Sequence, residues 1–447
     1  MVRPGYKQTE VGEIPEDWDV APLGELARLE RGKFSARPRN DPKFFGGDIP
    51  FIQTGDVTKS NGRDVGYSQT LNEAGVNVSK IFPKNSLYFT IAANIGDLAI
   101  VPFEAACPDS LITIQPLQDV DKEWLFHALR SKKTHFQIIA TSNAQLNINL
   151  EKLNPYLLGI PHQMCEQKAI AKALSDVDEL IVSLEKLIAK KRDIKTAAMQ
   201  QLLTGKKRLP GFGKGKGYKQ TELGEIPEDW YVSDLKDVSS MYGRIGWQGL
   251  KQEEFTFNDS QPFLITGVNF KDGKIRWNEV YHIPEERFNL DRNIQLHYGD
   301  VLMTKDGTIG KILFVEKIPY PHKASLNSHL LVFRPRGKKY FPKYLYYLLK
   351  SKYFLDFIEL NKSGSTFFGI TQEAVGKFKT ILPPYDEQKS IGIMLSDIDE
   401  DIENSIIELD KTKQIKQGMM QELLTGRTRL VAPQATEYVE EERLHGT

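Results

Sequence analysis

Cysteine is almost missing from this chain: Cys107 and Cys165 are the two in 447 residues, and both lie in the first half without counterparts in the second. A disulfide framework is therefore not expected, and a reducing, cytoplasmic setting is. The N-terminus has no apolar core of a signal peptide, and no run approaches the ~18 apolar residues of a membrane span, so no membrane association is expected. Net charge is missing too, 59 basic residues being balanced by 59 acidic ones. Duplex DNA binding draws on Lys and Arg neutralising phosphates, so a neutral chain must concentrate its positive charge locally or borrow it from another subunit. It does concentrate it: Lys186 to Lys216 holds ten basic residues against one acid, Asp193, whereas Val431 to Thr447 holds four glutamates against one arginine. A basic run is also compatible with a solvated helix face.

Catalytic signatures are missing as well. The eight histidines show no metal-ligand spacing, and no Ser/His/Asp or paired-carboxylate arrangement stands out. Leu382-Pro-Pro-Tyr385 is similar to the Asp/Asn-Pro-Pro-Tyr loop of adenine-N6 methyltransferases, but leucine replaces the residue that would accept the amino proton. Asn154-Pro-Tyr156 has the Asn and lacks one proline. Both fragments are expected to be turns that open a helix. Phe212-Gly-Lys-Gly215 follows no strand, and Gly310-Lys311 lacks the spacing of a phosphate-binding loop. No catalytic centre, metal or cofactor is expected in this chain.

What is present is repetition. Gly5-Tyr-Lys-Gln-Thr-Glu-Val-Gly-Glu-Ile-Pro-Glu-Asp-Trp18 returns 212 residues later, ending at Trp230, with 13 of 14 positions identical. Glu166 to Leu209 returns at Glu387 to Leu430 with 21 of 44 residues unchanged. A period this long marks a duplicated unit with internal pseudo-twofold symmetry, each copy being a globular part followed by a helical part.

The helical parts are the clearest secondary-structure signal. Leu174, Val177, Ile181, Leu184 and Ile188 alternate steps of three and four, the seam of a coiled coil, and Leu395, Ile398, Ile402 and Leu409 repeat it with a break at Ser405. Gly205 and Gly426 are placed to cap the helices in a left-handed conformation. About 38 residues at ~1.5 Å each gives a rod on the order of 55 to 60 Å. Neither rod can bury its stripe alone, so the two are expected to pack antiparallel. Beyond the apolar seam come Lys191 and Lys195 in one helix and Thr412 and Lys416 in the other, which fits either frayed ends or a surface for a partner.

The expected fold class is α+β, with two mixed α/β domains at opposite ends of a pair of long antiparallel helices. The expected domains are residues 1–160, a helical spacer at 161–209, a glycine-rich hinge at 210–217, a second globular domain at 218–384, a second spacer at 385–430 and a flexible acidic tail at 431–447. Strands are expected at Ile49–Gln53, Ser86–Thr90, Leu111–Ile114, Pro262–Thr266, Asp300–Thr304 and Leu330–Phe333, and short helices at Glu123–Leu129 and Lys343–Leu349.

Polar and basic loops carry what chemistry there is. Lys305-Asp-Gly-Thr-Ile-Gly-Lys311 follows a strand, so its small residues bring backbone close to a ligand while Lys305, Thr308 and Lys311 reach it; Thr90 to Gly96 sits at the same place in the first copy. Gln53, Thr54 and Asn94, with Lys271, Lys274 and Arg276, are side chains of the kind that read or anchor duplex DNA. Ser363 to Gly369, containing Ser365 and Thr366, pairs with Thr141 to Gln145 as a second set of polar loops. Ordinary turns account for any one of these residues; only the set points to DNA.

Taken together, Thr-Glu-(Val/Leu)-Gly-Glu-Ile-Pro-Glu-Asp-Trp opening each half, (Asp/Gly)-Thr-Ile-Gly in the variable part, and Glu-Gln-Lys and Leu-Leu-Thr-Gly bounding a long helix, the chain resembles the specificity (S) subunit of type I restriction-modification systems over nearly all but its last ~17 residues. The resemblance implies two target recognition domains reading a bipartite, asymmetric DNA site, with the helical spacer setting the gap. It implies partners: double-stranded DNA, two modification (methyltransferase) subunits that carry S-adenosylmethionine and methylate adenine N6, and restriction (motor and nuclease) subunits. It implies no catalysis by this chain. The first copy departs from the family pattern at Ala93-Asn-Ile-Gly96, which puts its DNA-reading loop in question. A self-sufficient DNA methyltransferase and a coiled-coil scaffold that never touches DNA are the two competing classes.

Overall fold

The computed structural model describes residues 2–141, 147–244, 250–271, 273–364 and 368–431. The chain divides into two compact units, one of residues 1–185 with 408–447 and the other of residues 186–407. Ser365, Thr366 and the acidic tail from residue 432 lie outside the described residues.

The first unit is built on a four-stranded antiparallel sheet in the order Ala27–Arg31, Leu111–Pro116, Ser86–Thr90, Leu98–Val101. Side chains alternate across a strand, and here both faces are covered. Leu87, Phe89, Leu98, Ile100, Ile112 and Ile114 feed the larger core with Trp124, Leu125 and Phe126 of the helix Lys122–Ser131, while Tyr88, Ala99, Val101 and Leu111 feed a second core with Ile52, Val57 and Phe82. Burial on both faces explains why Leu87–Phe89, Leu98–Val101 and Leu111–Ile114 read as nearly continuous apolar runs, unlike the edge strand Ala27–Arg31.

The second unit repeats this with different contents. Its sheet runs Ser239–Tyr242, Leu330–Pro335, Val301–Thr304, Ile312–Phe314. Val301, Met303, Leu331 and Phe333 face the core beneath the helix Pro342–Lys350, and Leu302, Leu313, Leu330 and Val332 face the other.

The long helices span Met164–Leu202 and Tyr385–Leu423, 39 residues each. Each unit contains the start of one and the end of the other. In the first unit Lys416 Nζ lies 2.5 Å from Asp178 and Lys413 Nζ 2.8 Å from Glu185. In the second, Lys195 Nζ lies 2.5 Å from Asp399 and Lys191 Nζ 2.9 Å from Asp401. As one position rises the other falls, so within each unit the paired segments are antiparallel. Leu174, Leu184, Ile188, Leu395, Ile402 and Leu409 are buried, and Val177, Ile181 and Ile398 half-buried. The polar continuation of the seam is neither frayed nor turned outward: Thr412 and Lys416 are buried, and Lys191 and Lys195 are half-buried against carboxylates of the opposing helix.

The duplicated words meet in space. Arg429 donates from Nε and Nη2 to Glu166 at 2.5 and 2.8 Å, and from both Nη atoms to Asp17 at 2.8 Å. Trp18 Nε1 donates to Glu166 Oε2 at 3.2 Å. In the second unit Arg208 donates to Glu387 at 2.6 Å and to Asp229 at 2.9 and 3.1 Å, with Trp230 Nε1 donating to Glu387 at 3.1 Å. Glu166 and Glu387 are fully buried. Hydrogen bonds from Arg208, then from Lys216, hold the Asp229 carboxyl down to about 2, and Arg429 lowers Asp17 in the same way. An arginine just past the end of one long helix thus fastens the start of the other.

The cap glycines complete the clasp. Gly205 and Gly426 have φ of +73° and +69°, and a Cβ at either would fall 2.4 Å from Pro227 or Pro15. Tyr218 and Tyr6 donate to their carbonyls at 3.2 and 2.9 Å.

One expectation needs correction. Asn154-Pro-Tyr156 does not open a helix; it leads into the strand Leu157–Pro161, which pairs with Trp18–Pro22, and the long helix begins only at Met164. Arg208, just before the glycine-rich segment at 210–217, is held at both ends of its guanidinium. Leu382-Pro-Pro-Tyr385 does open the second long helix.

Candidate nucleic-acid interface

In each unit an inner strand of the sheet, Ser86–Thr90 or Val301–Thr304, is joined to the edge strand that follows it by a tight loop organised by one buried threonine. Thr304 Oγ1 donates to the Thr308 carbonyl at 2.5 Å and accepts from Lys311 N at 3.0 Å. Thr90 Oγ1 does the same with the Asn94 carbonyl and with Asp97 N, the latter at 2.9 Å. The loops at 305–311 and 91–97 therefore share one conformation despite sharing little sequence. Both need a left-handed residue at the third position; Gly307 supplies it at φ +70°, and Ala93 adopts it at +60°. The departure of the first copy from the expected motif changes its side chains and not its turn.

A second segment crosses each loop. Lys305 N donates to the His329 carbonyl at 2.9 Å and Ile91 N to the Ser110 carbonyl at 3.2 Å. Asp306 bridges Gly369 at the end of the second polar segment, and Ala92 bridges Asn147 just past the first, while residues 142–146 and 365–367 of those segments lie outside the described residues.

The first unit gathers three of the residues expected from sequence. Asn94 is exposed and donates to Thr58 Oγ1 at 3.2 Å; Thr54 Oγ1 lies 3.2 Å from Ser110 Oγ; Gln53 caps the short helix Thr54–Lys59 and donates to Gln69. In the second unit Thr308 and Lys311 are exposed, and Lys305 Nζ lies 3.2 Å from Asp306. Lys271, Lys274 and Arg276 meet carboxylates instead: Lys271 pairs with Glu279 at 2.6 Å, Lys274 with Glu403 at 2.7 Å and Arg276 with Glu279 at 3.8 Å. A phosphate would have to displace those acids.

Sequence reasoning missed Asp306 as an organising group, with His329, Ser110 and Thr58 around the loops. His329 and Ser110 each directly precede the central strand, at Leu330 and Leu111. Aligning the two copies on that strand would have found them.

Charge differs between the two clusters. Residues 91–97 carry one charge, Asp97, which is paired with Lys133, whereas residues 305–311 carry Lys305, Asp306 and Lys311. Such loops offer hydrogen-bond donors and acceptors to base edges and cations to phosphates. Among the described residues no group of three or more His, Cys, Asp or Glu is placed to hold a metal ion, and no helix is long and apolar enough to cross a membrane.

Comparison with known proteins gives this architecture a family. The sequence pattern described as "Type I restriction modification DNA specificity domain" matches twice, at residues 15–195 and 227–414. The type I restriction enzyme MjaVIII specificity subunit of Methanocaldococcus jannaschii is 27% identical over 427 residues, covering 95% of this chain and 96% of that protein. The EcoBI specificity subunit of Escherichia coli is 24% identical over 317 residues, 68% of this chain and 63% of its own length. In fold the chain is similar to the type I restriction-modification S subunit of M. genitalium, with a TM-score of 0.57 at 17% identity over 94% of this chain and 98% of that one. With two copies of the domain across its length, in the order globular part then long helix, the chain belongs to the type I restriction-modification specificity subunits, the components that recognise the DNA sequence.

Proposed function

We propose that each unit reads one half of a bipartite DNA site through the cluster around its buried threonine: Gln53, Thr54 and Asn94 in the first, and Lys305, Thr308 and Lys311 in the second. The observation that carries this is the pairing of a common loop conformation with unlike side chains. A shared frame with different contents suits two different DNA words, which makes the site asymmetric. Good base contacts are worth roughly 1 to 3 kcal/mol each, so a few per unit suffice for discrimination. Ser365 and Thr366, in the polar segment 363–369, are further candidates on sequence grounds, and Lys271, Lys274 and Arg276 are secondary candidates that would exchange their carboxylates for phosphates.

The chain itself catalyses nothing in this reading. Two modification subunits bring S-adenosylmethionine and methylate adenine N6, and restriction subunits join them to cleave unmodified DNA in the cytoplasm. The long helices are the docking surface and the spacer. They keep apolar side chains exposed for it, Leu180 and Ile415 in the first unit and Leu187, Ile194 and Ile407 in the second. One extra helical turn would lengthen the spacer by ~5.4 Å.

The test is a genome-wide map of N6-methyladenine in cells making the modification subunit with and without this chain. A bipartite motif that appears only with the chain, and changes in one half when residues 1–160 are exchanged for those of a relative, is the expected result. No chain-dependent methylation from an assembled complex would overturn the reading.

A further inference from the structure

The position directly before the central strand holds histidine in the second unit and serine in the first. His329 Nδ1 lies 3.1 Å from Asp306 Oδ2. An ionised carboxylate only accepts, so a neutral ring carries its proton on Nδ1 and presents Nε2 as an acceptor. Asp306 is largely buried, with 21% of its side chain exposed, and takes Lys305 Nζ on the same oxygen at 3.2 Å. The His329 side chain is 53% exposed. A fixed inner edge and an open outer edge give the ring one orientation and one hydrogen-bonding polarity.

We propose that Asp306 and His329 form a reading dyad, in which Asp306 is the positioning residue and His329 Nε2 accepts a hydrogen bond from the exocyclic amino group of an adenine or cytosine in the major groove. Only those two bases offer a donor there, so the dyad selects an amino-bearing base at one position of the half-site. Ser110 stands at the equivalent place, 3.2 Å from Thr54. A hydroxyl pair both donates and accepts and imposes no such polarity. The inference rests on the loop cluster facing DNA, as proposed above.

The test uses the full chain assembled with its modification subunit, with methylation read across all variants of the motif. His329→Ala and Asp306→Asn are expected to lower discrimination at one shared position about tenfold, which corresponds to ~1.4 kcal/mol, with every other position unchanged. His329→Gln, whose amide oxygen also accepts, is expected to restore part of it. Asp306→Asn keeps the shape of the loop and serves alone if His329→Ala does not accumulate. Variants that leave every position as selective as before, or that lower methylation evenly at all positions, overturn the dyad. Lys311→Ala separates the two readings: if it weakens salt-dependent binding while the dyad variants leave the motif intact, only the dyad falls. If it too changes nothing, the DNA-facing assignment of the loops falls with it.

Discussion

Ala93 holds a backbone conformation that glycine holds in the sister loop, at φ +60°. A non-glycine residue there costs of order 1 kcal/mol. Ala93→Gly is expected to raise stability by up to about 1 kcal/mol in urea denaturation, less whatever the unfolded glycine gains in entropy. Arg429 presents the opposite case. Its loss leaves Glu166 buried with only the Trp18 indole for company, so Arg429→Ala is expected to cost ~3 to 5 kcal/mol, read by the same measurement. Asp229 ties the clasp to pH. Its carboxyl is held below the unfolded value, so its contribution is complete above about pH 4 and is lost as pH falls toward 2. Asp229→Asn should therefore be less stable than the parent protein at pH 6, and the gap should close in denaturation series taken down to pH 2. None of these partnerships was legible in the sequence. The repeated words were plain, but Trp18 and Glu166 are 148 positions apart and Arg429 stands 263 beyond Glu166. Repetition alone does not say which words touch.

The long helices were the most legible elements, because a three-four spacing of apolar residues and a terminal glycine are local signals. The strands Ser86–Thr90 and Leu330–Pro335 were legible for a related reason, their stretches Leu87–Phe89 and Leu330–Phe333 being buried on both faces and hence apolar. The polar end of the seam was misjudged, since Lys191 and Lys416 look like surface residues until the opposing aspartates are known. Burial lowers the Lys416 pKa against the pull of Asp178, the mark of an ion pair whose desolvation offsets much of its attraction. Removing Lys416 alone, as Lys416→Met, is expected to destabilise by ~2 to 4 kcal/mol, whereas Lys416→Met with Asp178→Leu should recover most of that. A thermal denaturation comparison of the two variants decides it; equal losses would mean the pair is an ordinary net contributor. The candidate interface was half legible. Gln53, Thr54 and Asn94 do come together, yet the placement of His329 beside Asp306 depends on the order of strands in the sheet, which propensity does not give.

At the scale of the whole chain, each unit borrows its arginine from the helix that begins in the other. A fragment of residues 1–216 would hold Asp17, Trp18 and Glu166 without Arg429, and Arg208 without Glu387 or Asp229. Two such fragments can satisfy each other reciprocally, since Arg208 and Arg429 make equivalent contacts. The fragment is expected to sediment as a dimer, and its Arg208→Ala variant as an unstable monomer. The duplicated clasp also bears on inheritance. Because the stretch from Gly5 to Trp18 is rebuilt almost letter for letter from Gly217 to Trp230, a genetic crossover within either copy regenerates the clasp at the junction. A lineage of such chains can then trade one DNA word for another in a single recombination event, without passing through an unfolded intermediate sequence.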